Sequence, residues 1–160
     1  MTHYADLSPC HYFPFDVDGK LLAVGWLDAE FPYPKGDVDE QFMVKLVELL
    51  VNVWQPGMFM GRHECQFCRF TGGPTAFEFK NNTVCIGASN LFVPASGFIY
   101  VAPSLILHYI DSHGYAPPEQ FQRAVMECPP MKSIPFFKAI LANGGRGIVK
   151  QLNAGTTDAT

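Results

Sequence analysis

The sequence predicts an α+β domain: a small antiparallel sheet with three to four helices and a zinc-bound loop. Three observations predict it. Phe42, Leu46, Leu49, Leu50 and Val53 recur at helical spacing. Short β-type segments separated by turn residues follow between 75 and 101. Between and beyond them, Cys65 and Cys68 form C-x2-C, answered by His108 and His113 as H-x4-H.

The first twenty residues are rich in proline, aspartate and aromatics. Tyr4, Tyr12, Phe13 and Phe15 favour burial, so this segment is expected to pack in extended form on the domain. Asp18-Gly19 is a turn signal. The apolar run 21–26 is a buried strand candidate. Asp6, Asp16, Asp18 and Asp28 do not have EF-hand spacing and read as solvated turn residues. Pro32 and Pro34 exclude helix from 31–36. Asp37 or Asp39 then caps the amphipathic helix, which runs to about Trp54 and stops at Gln55-Pro56-Gly57.

After the cysteine loop, Gly72-Gly73-Pro74 is a turn. Alternation of Phe77 and Phe79 with polar residues predicts a strand, Asn81-Asn82 a turn, and 83–86, 91–93 and 98–101 further strands of a meander. Pro103 suits a first helical position, and Gly114 a left-handed cap, for a helix over 104–112. Pro117-Pro118 opens a helix to about Met126, and 133–141 is a last short one. The chain is thus one α+β domain over 1–145, with 146–160 as a loose C-terminal tail.

Composition narrows the function. The chain has 160 residues, enough to bury a core without staples. A net charge of −4 and scattered basic residues argue against nucleic acid as a partner. No run of about 18 apolar residues occurs, so no membrane partner is expected. Five cysteines without a leader-like N-terminus do not suggest a disulfide framework, which points to the cytoplasm. With 14 Phe and 6 Tyr, some rings must reach the surface, a cleft or an interface.

The run Gly61-Arg62-His63-Glu64-Cys65-Gln66-Phe67-Cys68 carries the chemistry. Two residues between thiolates let one loop wrap one ion, and two imidazoles complete a tetrahedral zinc set. His108 and His113 lie ~140° apart on an ideal helix, so the last turn before Gly114 must adjust for both to bind. The span from Cys68 to His108 is too long for a DNA-binding finger. His63 competes as a ligand, because H-x-C-x2-C supplies three donors from one loop. The candidate metal residues are therefore Cys65, Cys68, His108, His113 and His63, with the fourth ligand open. A thioredoxin-type dithiol is disfavoured because neither flank of C-x2-C continues as a helix. The deaminase pattern fails on spacing and order.

Beyond this loop, Tyr4-Ala5-Asp6-Leu7-Ser8-Pro9, Val24-Gly25-Trp26-Leu27 and YVAPSLILHYIDSHGYAPP at 100–118 stand in order with Phe121. Together these blocks resemble an uncharacterised family of small bacterial proteins, over most of 4–125. The resemblance implies a bacterial cytosolic protein of one domain and supplies no activity. Its matching positions include His63, Cys65, Cys68, His108 and His113.

The expected role is a zinc-stabilised protein-binding or regulatory module, an immunity or antitoxin type included, with another protein as its partner. The alternative is a zinc-dependent hydrolytic enzyme with an open coordination position and Glu64 as base.

Overall fold

The structure, a computed structural model, describes residues 2–15, 17–57 and 61–154, with the backbone alone for 151–154. Its centre is a three-stranded sheet in the order β1 (Leu21–Ala23), β5 (Ile99–Pro103), β4 (Asn90–Pro94). Every residue of β4 and β5 is buried, which is why both read as continuous rather than alternating apolar runs. β4 and β5 pair antiparallel as a hairpin. β1 runs parallel to β5, with Leu21 opposite Ile99. The expected meander is therefore two sheets, since β2 (Ala76–Phe79) and β3 (Asn82–Cys85) form their own antiparallel hairpin. Its turn is Lys80-Asn81, one residue earlier than the asparagine pair suggested. Lys80 takes the left-handed conformation there (φ 52).

The amphipathic stretch is helix α1 (Glu40–Val51). Asp39 caps it, its carboxylate accepting from Gln41 N–H, and Phe42, Leu46, Leu49 and Leu50 face inward. α1 packs on β3 and on α3 (Glu119–Glu127). Helix α2 (Ile106–His113) begins two residues later than expected, because Pro103 ends β5 instead of opening the helix. α4 (Ile134–Ala142) starts from Ser133, whose hydroxyl accepts from Phe136 N–H, and packs on β4. A fifth helix, α5 (Arg146–Ala154), replaces the tail expected to be loose. Ile148 is fully buried, and that anchor gives the segment a reason to fold. Residues 155–160 of the expected tail lie outside the described residues.

The N-terminal segment does pack in extended form. Leu7 N–H donates to Ala23 O, Ala23 N–H to Ser8 O, and Cys10 N–H to Leu21 O, which covers the outer edge of β1. Trp26 is buried at the junction. Its indole N–H donates to Val101 O, and the rings of Tyr4, Tyr12 and Phe13 pack around it. The turn at Asp18-Gly19 has both residues at positive φ, 50° and 70°, the geometry a two-residue hairpin connection favours.

Asp6 is not the solvated turn residue that the sequence suggested. Its carboxylate accepts from Gly25 N–H and from Tyr115 O–H, at 2.9 Å each. Asp16 of the same acidic series lies outside the described residues. Burial raises the Asp6 pKa, and the Gly25 and Tyr115 hydrogen bonds oppose it. With the folded value above the unfolded one, the stabilising contribution is complete below about pH 3.9 and is lost as pH rises through the folded value. Asp6→Asn keeps both hydrogen bonds and removes the charge. It is expected to be no less stable than the parent at pH 7, gaining under about 1 kcal/mol. That gain should shrink as pH falls from 7 through the raised folded value and be gone below about pH 3.9, compared by urea unfolding at pH 7 and pH 3.

Candidate metal centre

Four side chains converge where the loop before β2 meets the end of α2. Cys65 Sγ lies 3.3 Å from His113 Nε2, and Cys68 Sγ lies 3.4 Å from His108 Nε2 and 3.5 Å from His113 Nε2. The two imidazole Nε2 atoms are 3.2 Å apart. All four donor atoms lie within 4.8 Å of one another. A tetrahedral zinc with Zn–S of about 2.3 Å and Zn–N of about 2.0–2.1 Å has N···N edges of ~3.3 Å and N···S edges of ~3.6 Å. The one N···N edge and the three N···S edges given above lie within about 0.3 Å of these values.

Local structure explains how the pairs come together. Cys68 N–H bonds back to Cys65 O, Gly72 N–H to Cys68 O, and Cys65 N–H to Gly72 O, so the cysteine loop closes on itself as a knuckle. Arg62 secures the outgoing chain, its guanidinium donating to Gly73 O and Pro74 O. At the other end of the site, α2 finishes wide. Gly114 takes a left-handed conformation (φ 64) and its N–H reaches Tyr109 O, five residues back. That opened last turn brings His113 round towards His108, which an ideal five-residue spacing does not. Tyr33 O–H donates to His113 O, and the Phe67 ring packs 5.1 Å from the His113 ring.

The electrostatics suit a cation. Burial pushes the Cys65 thiol up, against backbone N–H groups of Cys68 and Phe67 that favour its thiolate. Burial also lowers His108, with His113 adding to the shift, and burial together with Lys35 lowers His113. Neutral imidazoles offer lone pairs to a metal. A thiol that holds its proton must release it on binding, so affinity rises with pH.

His63 is not brought into this cluster. Its Nε2 lies 3.1 Å from Tyr12 Oη, its ring packs near Trp26, and its backbone N–H donates to Gly87 O. The five sequence candidates therefore divide into four that meet and one that belongs to the neighbouring aromatic cluster. The residues that sequence reading passed over are Arg62, Tyr33 and the glycine pair. Gly72-Gly73 signalled only a turn, yet a Cβ on Gly73 (φ 83) would stand 2.9 Å from Cys65 Cβ and 3.4 Å from His108 Nε2. Gly114 has the same left-handed requirement but open space around it. Gly114→Ala is expected to cost about 1 kcal/mol. Gly73→Ala should cost more and weaken metal binding, because it displaces a ligand. Thermal unfolding with and without added zinc separates the two.

The model of a domain of unknown function, DUF7919, matches residues 2–126. The chain belongs to this family. Its matched span takes in all four converging residues and ends within α3. No curated protein and no solved structure matches the chain. Membership in DUF7919 thus brings no activity with it, and chemistry must be argued from the site. Among the described residues, no helix is long and apolar enough to cross a membrane.

Proposed function

We propose that Cys65, Cys68, His108 and His113 bind one zinc ion in a structural role, and that the domain they stabilise is a protein-binding or regulatory module. The observation that carries this is the match between the four-donor cluster and the edges of an S2N2 tetrahedron. Softness of two thiolates with two imidazoles favours zinc among divalent ions. A full set of four protein donors supports a closed site over a hydrolytic one, which needs a coordination position for water. Glu64, the base that a hydrolytic site would use, packs against Gly72 on the knuckle.

The binding role is supported by the knuckle tip. Phe70 is wholly exposed, and a groove of about 540 Å³ beside it is lined by Glu64, Gln66, Arg69 and both cysteines. A ring held in water by a metal-braced loop is an arrangement suited to recognition of another protein. Metal analysis by plasma mass spectrometry, on chain purified without a metal-affinity tag or chelator, should find about one zinc per chain. A folded, metal-free protein would overturn the zinc reading. A photo-reactive phenylalanine analogue at position 70 should give one dominant protein adduct in cells. A diffuse spread of adducts would count against the binding role.

A further inference from the structure

A second cavity, of about 390 Å³, lies between the N-terminal segment and the proline-rich loop 31–36. Its walls include Tyr4, Phe31, Tyr33 and Pro34, and Asp6 is the one carboxylate lining it. The aromatic walls are held in place. His3 stacks on Phe31 at 4.0 Å with an interplanar angle of 4°, Tyr4 sets its edge against Trp26, and Tyr33 is tethered through its hydroxyl to His113 O. Asp6 is anchored by Gly25 N–H and Tyr115 O–H, which supply hydrogen bonds but no positive charge. Among the described residues Asp6 takes part in no ion pair.

A half-buried carboxylate that has no ion-pair partner among the described residues, with only the His3 ring of the same lining acting on it electrostatically, is complementary to an organic cation in a cavity walled by rings. Each ring face carries partial negative charge, and the Tyr33 ring already attracts the Lys35 ammonium at 5.3 Å, from a residue outside the cavity lining. We propose that this cavity is a binding site for an alkylammonium group, with Asp6 as its counter-ion and Tyr4, Phe31 and Tyr33 enclosing its carbon atoms. A substituted ammonium suits it better than a metal ion, because most of the lining is apolar and one carboxylate is too few ligands for a hard cation. It suits it better than a neutral apolar group, because a cation adds direct charge pairing to the partial relief that the two hydrogen bonds and His3 give the carboxylate. The raised pKa of Asp6 is the measure of the burial left unrelieved.

The test titrates butylammonium chloride, and 1-butanol as its neutral analogue, into the purified ¹⁵N-labelled chain, following backbone amide resonances. Butylammonium should give saturable shifts at Asp6 and Gly25 and bind at least tenfold more tightly than butanol. Asp6→Asn retains the acceptor for Gly25 and Tyr115 and should weaken butylammonium tenfold or more. Phe31→Ala, at a residue 48 % exposed and so safe for folding, should weaken it as well. Equal binding of the two probes, saturation that maps elsewhere, no saturation, or unchanged binding to both variants would overturn the proposal. Metal content is not read in this titration, so the outcome is separate from that of the zinc assay.

Discussion

Cys65→Ser is expected to destabilise the protein by more than about 4 kcal/mol, and Cys85→Ser by no more than about 0.5 kcal/mol. Cys65 is 2 % exposed, sits 3.3 Å from His113 Nε2 and anchors the knuckle, whereas Cys85 is exposed at the end of β3. In the proposed S2N2 site, losing one thiolate removes coordination energy that is part of folding energy. It also removes the link that closes the 39 residues between Cys68 and His108 into a loop in the folded chain. The measurement is urea unfolding of parent and variants with zinc present, then with excess chelator. The difference between parent and Cys65→Ser should collapse once chelator is added. Equal, small effects from the two substitutions would sink the metal assignment.

Trp26→Ala is expected to cost about 3–5 kcal/mol, through lost burial and the cavity left behind. Trp26 is fully buried, with Tyr4, Tyr12 and Phe13 packed on it and the His63 ring 6.4 Å away. Trp26→Phe should be much milder, about 1–2 kcal/mol. The hydrogen bond it loses ends on Val101 O, which still accepts from Val24 N–H at 3.0 Å, so no buried carbonyl is orphaned. Thermal unfolding of the two variants tests the distinction. If Trp26→Phe is as damaging as Trp26→Ala, the indole N–H matters more than the packing does.

The sequence showed local features more clearly than distant pairings, for identifiable reasons. The helix α1, the Ser133 start of α4 and the Gly114 end of α2 were legible because caps and periodicity lie within a few residues of each other. The four converging residues were legible because ligand chemistry restricts residue type and spacing. The parallel pairing of β1 with β5 was hidden. Three residues carry too little pattern, and their partner lies almost eighty positions away. His63 has the right type and spacing for a ligand, yet the hydrogen bond from its backbone to Gly87 O and the contact with Tyr12 hold it outside the cluster. Helix α5 was missed because glycines precede and interrupt it, while the burial of Ile148 is a tertiary fact.

The knuckle and the end of α2 bracket both hairpins, β2–β3 and β4–β5. An ion shared between them would make this stretch a covalent-and-coordinate ring. A protease that nicks the exposed Lys80-Asn81 turn would then open the ring without releasing either piece. The severed chain would travel as one particle on a sizing column, held by the ion together with the β1–β5 pairing and the α1–α3 packing that cross the cut, and stripping the ion would leave the non-covalent packing alone to hold it. Backbone continuity and physical integrity are, in this region, two different properties of the molecule.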